Sequence, residues 1–220
     1  MKVASYDSPS TDSYGEEIAN AVTHGIALLL AIAGLVIMVV DAAVARDGWA
    51  LFSGIVYGTS LVLLFLSSTL YHSLRRDSLR RFFLAFDHVA IFLLIAGTYT
   101  PLALLAVPEP SGSILFALIW GLAGTGIVLR FVWLGGFQIV SLLLYLAMGW
   151  IAMIWVDSLF AGMGNGVYLI IAGGACYTLG VAFYLFRRLP YNHAVWHLFV
   201  LAGALCHFLG VQLYVMPMVL

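Results

Sequence analysis

Charge is the scarcest commodity in this chain, with Lys, Arg, Asp and Glu together making up 9% of 220 residues. That is too little polar surface to cover a soluble globule of this size when the hydrophobic fraction is 64%. Lipid must be the solvent. The net charge is −1, and no basic cluster alternates with aromatics, which excludes a nucleic acid backbone as partner. Cysteine is nearly absent. Cys176 and Cys206 both fall inside apolar runs and read as small packing residues rather than a disulfide or a metal pair. Residues 1–19 lack the basic segment and small-residue cleavage site of a secretory signal, so the first apolar run is expected to stay as a helix.

What is present is a series of seven apolar runs, each long enough to cross roughly 30 Å of hydrocarbon at about 1.5 Å per residue. They are Ala21 to Val40, Ala50 to Tyr71, Phe82 to Val107, Ile114 to Val132, Phe137 to Val156, Val167 to Phe186 and Ala194 to Met216. The predicted fold is an all-α integral membrane protein, a seven-transmembrane helix bundle over 20–220 preceded by a short cytoplasmic segment, 1–19. Loops fall at Asp41 to Gly48, Pro108 to Gly112, Gly135 with Gly136, Gly162 to Gly166 and Pro190. With the N-terminus inside, Lys2, Arg75, Arg76, Arg80, Arg81, Arg130, Arg187 and Arg188 lie on the cytoplasmic side and only Arg46 outside. The C-terminus is then outside, and the membrane expected is the bacterial cytoplasmic one. Glycines within the spans read as close helix packing, and Pro101 as a bend late in the third span.

An ionisable side chain inside a span is costly, so each needs a partner or a purpose. Ser68 and His72 are four apart near the end of the second span and share a face. Asp87 lies about a turn and a half into the third span. His193 and His197, again four apart, open the seventh, while Glu17, Asn20 and His24 form one polar stripe at the entry to the first. All lie at the same membrane depth. Three imidazoles from two helices suit a catalytic zinc site, because three protein ligands leave the fourth tetrahedral position for water. In that scheme His72, His193 and His197 hold the metal, Asp87 serves as general base, and Ser68 helps hold the developing oxyanion. Glu17, Asn20 and His24 are candidates to support the ligands from behind. His88 and His207 point off the metal-facing stripes and read as packing.

Taken together, Glu17-x-x-Asn20-x-x-x-His24, Ser68-x-x-x-His72, Asp87 with Gly97-Thr98-Tyr99-Thr100-Pro101, and His193-x-x-x-His197 resemble the hemolysin III family. That family is the bacterial branch of the progestin and adipoQ receptors, which are more distantly similar to alkaline ceramidases. The resemblance implies a seven-helix bundle with a cytoplasmic N-terminus, zinc on His72, His193 and His197, and Asp87 and Ser68 beside the open position. It implies hydrolysis of a lipid amide or ester, with a membrane lipid as substrate or ligand. The alternative is a non-enzymatic sensor of membrane state in which the metal is structural. The family name implies cytolysis, but the mid-bilayer stretches offer no polar lining for a water-filled pore. Ion or proton carriage ranks last, since no ionisable group stands near the midplane.

Overall fold

The computed structural model describes residues 13–132, 137–186 and 189–218. Among them are seven helical segments long and apolar enough to cross a membrane, and no strand. The first helix, α1, runs from Tyr14 to Ala45, well past the apolar run at both ends. Ser13 and Glu16 explain the early start, because the Ser13 hydroxyl caps the Glu16 N–H while the Glu16 carboxylate takes the Ser13 N–H at 2.9 Å. The site-bearing stripe of Glu17, Asn20 and His24 is thereby helical and continuous with the first span. At the other end the expected loop, Asp41 to Gly48, shrinks to a turn at Arg46 and Asp47. Arg46 adopts a left-handed conformation, and the Asp47 carboxylate caps the next helix through the Ala50 N–H at 2.7 Å.

That helix, α2 (Gly48–Ser73), packs antiparallel along α1. Gly58 permits the approach, since a Cβ there would sit against the Leu35 backbone. Helix α3 (Asp77–Pro101) is the most buried of the seven spans. The bend expected at Pro101 takes the form of a change in winding. The chain continues through a π-helical turn, Leu102–Ala106, in which the Val107 N–H reaches the Leu102 carbonyl at 3.0 Å. Helix α4 (Ser111–Val132) follows.

The fifth span, expected as one helix from Phe137 to Val156, is broken and longer. It consists of α5 (Phe137–Trp150), a 3-10 turn over Ile151–Trp155, and α6 (Val156–Met163). Tyr99 from α3 fills the break: its hydroxyl donates to the Met148 carbonyl at 2.8 Å and accepts from the Ala152 N–H at 2.9 Å. Backbone groups freed inside a membrane helix need such a partner. Gly164, at φ 51°, turns the chain into α7 (Gly166–Leu185), and α8 (Asn192–Tyr214) ends the bundle against α7 and α1. Tyr57, Phe65, Phe92, Leu115, Ile119 and Met148 form the buried centre, while Leu29, Val36, Val44, Ile139, Ile154 and Leu179 stand exposed on the outside, as lipid-facing residues do.

Candidate metal centre

Three helix ends converge at the end of the bundle that carries Arg75 to Arg81. The last turn of α2 supplies His72, the first two turns of α8 supply His193 and His197, and the entry of α1 lies between them. One ring nitrogen from each of His72, His193 and His197 lies within 4.8 Å of the other two. Their ring centroids are 4.7 to 5.1 Å apart. Tetrahedral ligation at about 2.0–2.1 Å needs nitrogens about 3.3 Å apart, a spacing that small side-chain rotations reach from here.

The far sides of two of these rings are fixed by α1. His72 Nδ1 stands 2.6 Å from Glu17 Oε2, and because a carboxylate can only accept from a neutral imidazole, the proton belongs on Nδ1. Its Nε2 is buried and has no hydrogen-bond partner. His197 is 1% exposed, and its Nδ1 donates to the Asn20 carbonyl at 3.2 Å, with the Thr23 hydroxyl 3.3 Å away. Again Nε2 is left as the basic nitrogen. The other Glu17 oxygen takes the Arg80 guanidinium. This is the arrangement that orients metal-binding histidines, in which a carboxylate or carbonyl behind the ring fixes tautomer and plane. His72 and His197, each with Nδ1 tied from behind and Nε2 left as the basic nitrogen, suit zinc among transition metals that accept nitrogen ligands.

His24 completes the cluster without joining the ligand triangle. It is 3% exposed, stacks face to face on His197 at 3.5 Å between centroids, and places Nδ1 2.6 Å from the Ser68 hydroxyl. Asp87, from the third turn of α3, stands outside the group within 4.8 Å and is in hydrogen-bonding reach of Ser67 and Ser68. The chain of contacts therefore runs from Asp87 through Ser68 to His24 and on to the His197 ring. His88 lies apart, with Nδ1 donating to the Leu84 carbonyl at 2.7 Å. His207 does too, with Nε2 donating to the Ile170 carbonyl at 3.0 Å.

Sequence reasoning missed three participants. Ser67 carries a signal, standing beside Ser68 on the helix that faces Asp87. Thr23 carries a weaker one, as the residue next to His24. Arg80 carries none, because its pairing with Glu17 joins residues 63 apart.

A family model described as haemolysin-III related matches residues 13–208. The chain is similar to Hemolysin-3 of Bacillus cereus, 43% identical over 203 residues that cover 92% of this chain and 93% of the relative. It is also similar to the Hemolysin-3 homolog of Bacillus subtilis (strain 168), 42% identical over 187 residues that cover 84% of this chain and 88% of the relative. The human monocyte to macrophage differentiation factor is 31% identical over 191 residues, covering 84% of this chain and 78% of that protein. No solved structure matches.

Proposed function

This chain belongs to the haemolysin-III-related family of multi-pass membrane proteins, and on that premise we propose that it is a zinc-dependent hydrolase of a lipid amide or ester. The observation that carries the reading is the His72 ring. Its Nδ1 is held by Glu17 while its Nε2 is buried without a partner beside two further histidines, a costly arrangement unless a cation occupies the centre. Zinc held there supplies the Lewis acidity that makes water a nucleophile near neutral pH.

The residues divide the remaining work. His72, His193 and His197 bind the metal, and Glu17 and Asn20 hold two of those rings in register from behind. His24 fixes the plane of His197 by stacking. Asp87 takes the proton of the attacking water as its oxygen adds to the lipid carbonyl, and returns it to the departing nitrogen or oxygen as the acyl bond breaks. Ser68 orients Asp87 and can turn its hydroxyl toward the developing oxyanion. A bundle of apolar helices shields the reacting carbonyl from bulk water.

The test is release of fatty acid or cleaved lipid by purified protein in lipid vesicles. Wild type is expected to turn over, and Asp87→Asn to bind zinc yet fall by a factor of about 10²–10⁴. Equal turnover in both contradicts the mechanism. A second reading, a sensor in which the metal is a clamp, draws on one observation: α8 packs chiefly on α1 and α7, so the histidines are a main bridge between α2 and α8. In that case Asp87→Asn keeps full cellular activity, and loss of any histidine ligand lowers thermal stability through the lost metal.

A further inference from the structure

Between the first turns of α1 and the segment joining α2 to α3 lies a cavity of about 500 Å³. Its lining is of three kinds. Glu17 and His72 form a polar floor continuous with the metal centre, Arg75 and Arg80 supply positive charge, and Ile18, Ala21 and Val22 form an apolar side. Ile18 and Val22 belong to an exposed stripe at helical spacing that continues through Ile26 and Leu29, so the apolar side is continuous with the lipid-facing surface of the bundle.

The charges do not cancel. Glu17 is the carboxylate among the lining residues, and it is already shared between Arg80 and the His72 ring. The Arg75 guanidinium lies over the Tyr14 ring at 4.9 Å, covering the aromatic face that a quaternary ammonium group would need. The cavity therefore offers guanidinium groups to a phosphate, while the lining carboxylate, Glu17, is already engaged and one face of Tyr14 is covered. Guanidinium suits phosphate oxygens by geometry as well as charge.

We propose that this cavity binds an anionic phospholipid, with its phosphate at Arg75 and Arg80 and an acyl chain along Ile18 and Val22. As substrate, this lipid rests on the hydrolase reading above; as ligand, it does not. In the substrate role the cavity is the entry by which the lipid reaches the floor formed by His72 and Glu17.

The experiment uses full-length protein in nanodiscs containing phosphatidylglycerol with a photoactivatable acyl chain, and maps the labelled residues. Labelling is expected on α1 around residues 18–22. Arg75→Gln should lower it about fivefold, the effect of one interfacial arginine on an anionic headgroup, while Arg75→Lys should keep most of it. Arg76→Gln, next in sequence but outside the lining, should leave it near wild type. Equal losses in Arg75→Gln and Arg76→Gln would mean a general basic interface and overturn the site. So would equal labelling by the phosphatidylcholine analogue. Displacement of the label by inorganic phosphate at matched ionic strength would make it a soluble-anion site and overturn the lipid assignment. Phosphatidylglycerol labelling that depends on Arg75, in a protein that cleaves no lipid, would refute the hydrolase reading and leave this one standing.

Discussion

The two ends of α8 carry the same side chain under opposite conditions. His197, near the start, is buried with Nδ1 donating to a carbonyl of α1, so its inward Nε2 is a basic nitrogen. His207, ten residues on, is also buried but spends Nε2 on the Ile170 carbonyl, packed edge-on to Tyr177. A nitrogen that donates to a carbonyl carries its proton there and cannot also bind a metal. Burial alone therefore does not mark a ligand. The partner behind the ring does, and at the α2 end of the bundle His72 and His197, each with Nδ1 tied, face one another.

The comparison can be broken most sharply at Glu17. Glu17→Gln keeps the shape but weakens the acceptor behind His72, and is expected to lower metal affinity about 10–100-fold, read by competition with a chelator of known strength. Unchanged affinity would mean that the carboxylate does not set the His72 tautomer. The other end of α8 should respond in the opposite currency. His207→Ala removes a second bond to the Ile170 carbonyl, which the α7 ladder still serves, and leaves a void beside Gly173, costing about 2–4 kcal/mol of stability with metal content unchanged. Metal loss in this variant would erase the distinction between the two histidines. Tyr99→Phe gives a smaller effect of the same kind. It removes the hydroxyl that serves Met148 and Ala152 at the break in the fifth span, costing about 1–3 kcal/mol in a thermal or denaturant unfolding series, again with metal retained.

How far this could be read without the structure depends on the length scale of the interaction. Span number and approximate bounds were legible, because apolar runs of about twenty residues leave little choice in lipid. The ends of α1 were not, because its first turn is set by Ser13 and Glu16 and its last by a two-residue turn, both local capping effects beneath the hydropathy signal. The break after Trp150 was invisible for a different reason: its freed backbone groups are served by Tyr99, about fifty residues away on another helix. Within the site, helical spacing placed Ser68 with His72 and His193 with His197, since neighbours on one helix need no tertiary information. Convergence of α2 and α8 required the fold. The contact of Asp87 with Ser67 and Ser68 joins two helices, and no spacing rule within one helix could have ranked it. Glu17 was grouped with Asn20 and His24 by periodicity alone; its partner, His72, lies on another helix.

The measurement that bears most directly on the account is the metal content of purified wild-type protein beside a His193→Ala, His197→Ala double variant and His207→Ala. The account predicts about one zinc per chain in the wild type and in His207→Ala, with near-complete loss in the double variant. Metal-free wild type that is fully active, or zinc retained in the double variant, would contradict it.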